Sequence, residues 1–193
     1  MMKTVLCHFY NEEYILPWWS SHHRKIFDHG IMINYGSTDN SVKIIKQYCP
    51  TWTIVDSRNQ CFDTRLCDEE IMDYESLLRG ARITLTVTEF LYGDYSQINQ
   101  LDVPSKTRIV IPVTSIIDPI YNKFYDPEKL LIDSCMPWGI SYKDDLMFRC
   151  ARSIHNCPIA YPDGRHFWEE ISDMGLIIFW HGFSPWNETI VNR

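Results

Sequence analysis

The sequence offers no way to pair its cysteines. Seven thiols, at positions 7, 49, 61, 67, 135, 150 and 157, form an odd set without any C-x-x-C spacing. That pattern excludes a disulfide framework and a zinc ribbon, and implies reduced thiols in an intracellular setting. Long apolar runs are also missing: none approaches the roughly 20 residues of a membrane span, and residues 5–9 are too few for a signal-peptide core. These two absences predict a soluble protein of the cytoplasm with no membrane span. Positive charge is scarce, with 18 Lys and Arg against 25 Asp and Glu and a formal charge of −7. A general nucleic-acid binder is thereby excluded, because affinity for a phosphate backbone needs a surplus of Lys and Arg. A single nucleotide remains admissible, although an acidic protein that binds a diphosphate is expected to recruit a divalent cation. Neither G-x-S-x-G nor G-x-x-x-x-G-K-S/T occurs, which removes the corresponding hydrolase and P-loop kinase classes.

What is present fits one domain. The 193 residues suffice for a single sizeable core, and no repeat or low-complexity tract divides residues 1–193, which are expected to form one domain or one module of a longer polypeptide. Residues 4–9 are apolar and β-prone, and a helical pattern follows with apolar positions 15, 18, 19, 22, 26 and 27. The unit repeats as a strand over 30–34, a helix over 41–48 and a strand over 52–56. Such alternation predicts an α/β fold with a central, mostly parallel sheet flanked by helices. A helix over 68–79 ending at Gly80 and a strand over 82–90 come next. Pro112 within the β-prone run 107–117 implies an edge strand or a bulge. Residues 121–138 read as loop-rich, 144–154 as a helix opened by acidic residues, and 176–186 as a strand running into an aromatic loop.

The segment Tyr35-Gly36-Ser37-Thr38-Asp39-Asn40-Ser41 is the most informative. A strand, a Gly turn and then Ser, Thr and Asp before a helix place a carboxylate and free N–H groups at the carboxyl end of a strand, where open α/β sheets bind ligands. Asp39 can accept a hydrogen bond from a uracil N–H or a ribose hydroxyl; the competing reading is that it caps the helix starting at Ser41. Phe9, Tyr10, Asn11 and Glu12, at the end of the preceding strand, can offer backbone groups to a base. Arg58 and Arg65, after the third strand, are candidates for the diphosphate or the base, or else plain surface arginines.

Phe9-Tyr10-Asn11-Glu12-Glu13 followed by Tyr35-Gly36-Ser37-Thr38-Asp39 resembles the N-terminal signature of family 2-like glycosyltransferases with the GT-A fold, a viral capsid-glycan type among them. Thr86-Val87-Thr88-Glu89-Phe90 stands where relatives carry D-x-D-E-F, and Lys143-Asp144-Asp145-Leu146 where they carry an E-D pair. The resemblance spans roughly residues 3–190 and implies a GT-A-like single domain. It also implies an enzyme that moves a sugar from a UDP-sugar donor to a hydroxyl on a glycan or glycoprotein acceptor, with Mn²⁺ or Mg²⁺ stabilising the leaving diphosphate. By the same resemblance Gly36 and Asp39 lie at the nucleotide, Glu89 and His181 are metal ligands with His166 in reserve, and Asp145 is the catalytic base beside Asp144. Two alternatives stand beside it. The threonines at 86 and 88 suit a nucleotide-sugar-binding module of weak catalytic power, and a nucleotidyltransferase of similar topology would want a basic Gly-rich loop that Asn11-Glu12-Glu13-Tyr14 does not supply.

Overall fold

The computed structural model describes residues 1–61, 63–102, 108–117, 126, 129–134, 136–137, 151–157, 159, 175–183 and 188. Asp144, Asp145 and His166 lie outside the described residues.

The first half follows the expected alternation. Strand β1 (Lys3–Phe9), helix α1 (Leu16–His23), β2 (His29–Asn34), α2 (Ser41–Tyr48), β3 (Thr53–Asp56), α3 (Thr64–Leu77) and β4 (Ala81–Thr84) succeed one another. Strands β3, β2, β1 and β4 lie side by side in that order and run parallel. Alternate residues of β1 serve opposite faces, as the two-residue period of a strand requires. Val5, Cys7 and Phe9 join Leu16 and Trp19 of α1 and Ile45 of α2 in the main core. Leu6 joins Ile31 and Ile33 of β2 and Ile71 of α3 in a second cluster. Helices therefore cover both faces, and the middle of β1, Val5 to Cys7, is a continuous apolar run because it is buried on both. Gly30 is set by packing: a Cβ there would come within 2.2 Å of the Trp52 ring.

Helix α3 starts earlier than periodicity alone suggests, because Asp63 caps it, accepting the N–H of Arg65 at 2.8 Å and of Leu66 at 3.1 Å.

The second half departs from the expectation in three places. The single strand read over 82–90 is two, β4 and β5 (Glu89–Gly93), separated by a turn in which the Glu89 N–H donates to Thr86 O at 3.0 Å. The acidic opening at 144–145 suggested a helix reaching residue 154, but Ala151–His155 is a strand, β8, buried at all five positions. It sits between β4 and β6 (Arg108–Ile117), where sheet pairing outweighs local helix propensity. Pro112 marks neither an edge strand nor a bulge of its own. Strand β6 pairs with β8 through Pro112 and with β9 (Leu176–Phe183) from Val113 onward, so the residue without an N–H falls where the strand changes partner. The β6–β9 register does shift, between Ser115 and Ile117. With β7 (Met136–Pro137) on β6, the described strands form one sheet ordered β3-β2-β1-β4-β8-β6-β9-β5. It is a mixed α/β sheet, parallel over the first four strands and at β6–β9, and antiparallel at β4–β8, β6–β8, β5–β9 and β6–β7.

Candidate nucleotide site

In the order β3-β2-β1-β4, the chain moves outward from β1 to β3 and then returns to the other side of β1. The carboxyl ends of β1 and β4 therefore flank a topological switch point, the place where the loops part and leave a crevice. The loops that surround it are the ones singled out from sequence.

Asn11 fastens the β1 loop to the β2 loop. It sits at φ 50°, in the left-handed region that Asn tolerates better than most residues. Its Oδ1 accepts the N–H of Thr38 at 2.8 Å and of Asp39 at 3.3 Å, and its own N–H donates to Ser37 Oγ at 3.1 Å. Asp39 returns the link: Oδ2 accepts the Glu13 N–H at 3.0 Å and Oδ1 the Ser41 N–H at 2.9 Å. Asp39 thus accepts the first N–H of α2 from the position before the N-cap residue Asn40, and ties two loops together. Glu12 is buried and its N–H donates to Ser41 Oγ at 2.8 Å. Phe9 lies in the core with its carbonyl accepting the Tyr35 N–H, whereas Tyr10 presents its ring to solvent, 56% exposed. Gly36, at φ 79° with open space where a Cβ would go, is required by its backbone conformation alone.

A buried hub supports the third loop. Glu70 of α3 is 1% exposed. Its Oε2 bonds His8 Nε2 at 3.1 Å, Ser57 Oγ at 2.7 Å and Asn59 Nδ2 at 3.1 Å, while Oε1 accepts the Arg58 N–H at 2.9 Å. Burial pushes the Glu70 carboxyl up, but the hydrogen bonds from Arg58, His8 and Ser57 outweigh it and hold the group below its ordinary value. The Arg58 side chain pairs with Asp73, both half exposed or more, and Arg65 projects into solvent beside Glu69. Both arginines reside at the carboxyl-end side of β3, as expected of a loop and a helix start that follow that strand.

The end of β4 is organised differently from a cation site. Glu89 is 2% exposed; its Oε1 lies 2.7 Å from Arg152 Nη2, and its Oε2 accepts Arg152 Nε at 3.2 Å and the Thr86 N–H at 2.8 Å. The Thr86 and Thr88 hydroxyls bond each other at 3.0 Å. The turn's carbonyls are taken as well. Trp19 Nε1 donates to Thr86 O at 3.1 Å and to Glu89 O at 3.0 Å, and the His181 N–H donates to Thr88 O at 2.7 Å. His181 is fully buried against the Phe90 ring, with both ring nitrogens unpartnered. Desolvation, with a smaller push from His22, lowers its pKa to about 3. Among the described residues no three His, Cys, Asp or Glu side chains form a metal-binding group. The donor set at this turn does not fit Mn²⁺ or Mg²⁺, hard cations that need free oxygen ligands.

Sequence reasoning missed Glu70 and Arg152. Glu70 and Glu75 lie on the inward stripe of α3 with Cys67 and Ile71, and a carboxylate at a core position is a signal, since it is buried only with partners. Glu75 indeed accepts from Thr84 Oγ1 at 3.0 Å and contacts His155 Nε2 at 3.1 Å. Nothing in the sequence linked Arg152 to Glu89, 63 positions away. A separate pocket of about 130 Å³ lies between α1, β5 and residues 129–131, lined in part by Trp18, His22, Lys25 and Lys129; it is distinct from the switch point.

No family model matches the sequence, and no curated protein matches it either. Similar solved structures exist at low identity. S. aureus TarS 1-349 aligns at 11% identity and TM-score 0.41 over 65% of this chain and 38% of that one. The same protein in complex with UDP-GlcNAc gives 11% and 0.40 over 69% and 42%. Glucosyl-3-phosphoglycerate synthase from Mycobacterium tuberculosis, in complex with Mn²⁺, UDP and glucosyl-3-phosphoglycerate, gives 14% and 0.38 over 63% and 44%. The chain therefore spans less than half the length of each. At TM-scores of 0.38–0.41 these likenesses assign the chain neither a family nor a role, and none of the three is a viral capsid-glycan enzyme; the mixed α/β architecture stands on the chain's own topology. No described helix is long and apolar enough to cross a membrane.

Proposed function

We propose that residues 1–193 form a single glycosyltransferase-like domain that binds a UDP-sugar in the crevice between the carboxyl ends of β1 and β4 and transfers the sugar to a hydroxyl on a glycan or glycoprotein. The observation that carries this reading is the convergence, beside the switch point, of the loop residues Asn11, Thr38 and Asp39 into one hydrogen-bonded rim. The exposed Tyr10 ring supplies a face on which a base can stack, and Asp39 keeps lone pairs for a base N–H or ribose hydroxyl. Arg58 and Arg65, which follow β3 on the far side of β1 from β4, are offered to the base rather than to the phosphates. Asp145, with Asp144 beside it, is the proposed base. It takes the acceptor's proton as the new C–O bond forms, and the bond from the sugar to UDP breaks with its electron pair leaving on the diphosphate. The turn at Glu89 offers a metal ion no free carboxylate.

One observation favours a second reading, a nucleotide-sugar-binding module without transfer: the end of β4 carries two threonines and a neutralised glutamate where the resemblance leads one to expect free carboxylates. Release of UDP from a UDP-sugar in the presence of acceptor separates the two.

A thermal-shift panel of UDP, GDP, CMP and ADP tests the binding step. UDP at a hundredfold its Kd is expected to stabilise the fold by about 2.7 kcal/mol, with the other nucleotides well below it; equal shifts for all four, or none, would contradict the reading. In Asp39→Ala we expect a stability loss of about 1–2 kcal/mol from the vacated cap and a UDP affinity lower by about tenfold. Unchanged affinity in the folded variant would assign Asp39 to loop fastening alone.

A further inference from the structure

In the turn between β4 and β5, the Glu89 carboxylate, the Thr86 and Thr88 hydroxyls and three carbonyls each have a protein partner. The Glu89 carboxylate accepts three donors, two from Arg152 and one from the Thr86 backbone. The carbonyls of Thr86, Thr88 and Glu89 accept Trp19 Nε1 or the His181 N–H, and the two threonine hydroxyls bond each other. The ion pair is buried on both sides, with 8% and 2% side-chain exposure. Its fork geometry is the one in which guanidinium and carboxylate interact best. Arg152 is placed by the sheet, since β8 holds it opposite Ile111 of β6. Drawing Glu89 away to ligate a metal would break a buried, two-point ion pair, which is strongly unfavourable.

We infer that this turn is a metal-free substitute for a cation-binding strand end, in which Arg152 supplies the fixed positive charge that neutralises the Glu89 carboxylate. The inference rests on the nucleotide reading above only for its ligand, a nucleoside diphosphate. A pair of unpaired carboxylates here would repel a diphosphate until a divalent cation bridged them. The Glu89–Arg152 pair presents no net charge, and the threonines are neutral, so the ligand can approach without that bridge. The described carboxylate nearest this role is thus a counter-ion, and nucleotide affinity should be indifferent to divalent metal.

Two measurements on the whole chain decide it. Calorimetric titration of UDP in EDTA and then in Mn²⁺ is expected to give dissociation constants within about threefold of each other; a gain of tenfold or more with Mn²⁺ would overturn the inference. Thermal unfolding of Glu89→Gln, Arg152→Met and the double variant, each with and without Mn²⁺, reads the ion pair without nucleotide. The single variants should melt well below the parent and the double variant should recover most of the loss, with Mn²⁺ shifting none of them. A Mn²⁺-induced rise in the parent that disappears in both the double variant and Glu89→Gln would overturn the inference. If UDP binds in neither buffer, the nucleotide reading fails, and the thermal arm still decides whether Glu89 serves Arg152 or a metal.

Discussion

His181→Leu should stay folded at an acidity that unfolds the parent. His181 is fully buried, its two ring nitrogens lack partners, and desolvation followed by the neighbouring His22 lowers its pKa to about 3. In the unfolded chain the same imidazole titrates near 6.5. Above that value neither state carries the proton and the histidine makes no pH-dependent contribution. As the pH falls from about 6.5 toward 3, the unfolded chain binds a proton that the native state refuses, and stability declines by about 1.4 kcal/mol per unit. The whole window is worth on the order of 5 kcal/mol, which is comparable to the total stability of many domains. His23, held well below its ordinary value by burial and then by His22, and His22, lowered by burial, push in the same direction. Urea midpoints recorded between neutral and acid pH should fall more steeply in the parent than in His181→Leu. At neutral pH the variant should be at least as stable, since two unsatisfied polar atoms leave the core. Parallel pH profiles for the two proteins would show that the imidazole is protonated or hydrated in place.

Glu70→Ala should be the most damaging single change near the nucleotide rim. It removes the acceptor shared by His8, Ser57, Asn59 and the Arg58 N–H, bonds that are only partly buried. Losses of this kind run to about 1–3 kcal/mol, or on the order of 5 °C in melting temperature for a domain this size. Glu70→Gln, which keeps an acceptor oxygen, should lose distinctly less. The two variants also separate support from contact. If Glu70 positions the β3 loop, the folded fraction of Glu70→Ala should bind UDP more weakly while Glu70→Gln binds close to the parent. A Glu70→Ala protein that melts like the parent would remove the hub from the account.

The first half of the fold was legible because each element is announced locally. The apolar run 5–9, the helical spacing after it and the turn chemistry of Gly36 to Ser41 all point the same way. The second half was not, because its strands are specified by long-range pairing: β8 is strand because β4 and β6 flank it, and β6 carries a proline that becomes tolerable only at a change of partner. The same division holds for the site. Asn11 and Asp39 sit in loops whose residue types are chosen for local geometry, so their loop-fastening bonds were legible early. Asp39 holds the first N–H of α2, and its contact with a nucleotide stands as a proposal. Glu89 drew attention as a carboxylate at a strand end, yet its character depends on Arg152, a residue on a strand whose very existence the local pattern concealed. Asp144 and Asp145 stand as proposals outside the described residues.

A crystal structure of the chain with UDP is decisive. The nucleotide is expected at the switch point, its uracil against the Tyr10 ring and the rim of Asn11 and Asp39, and its phosphates directed toward the turn at Thr86 and Thr88. UDP seated instead in the pocket between Trp18, Lys25 and Lys129, or no bound nucleotide at saturating concentration, would contradict it.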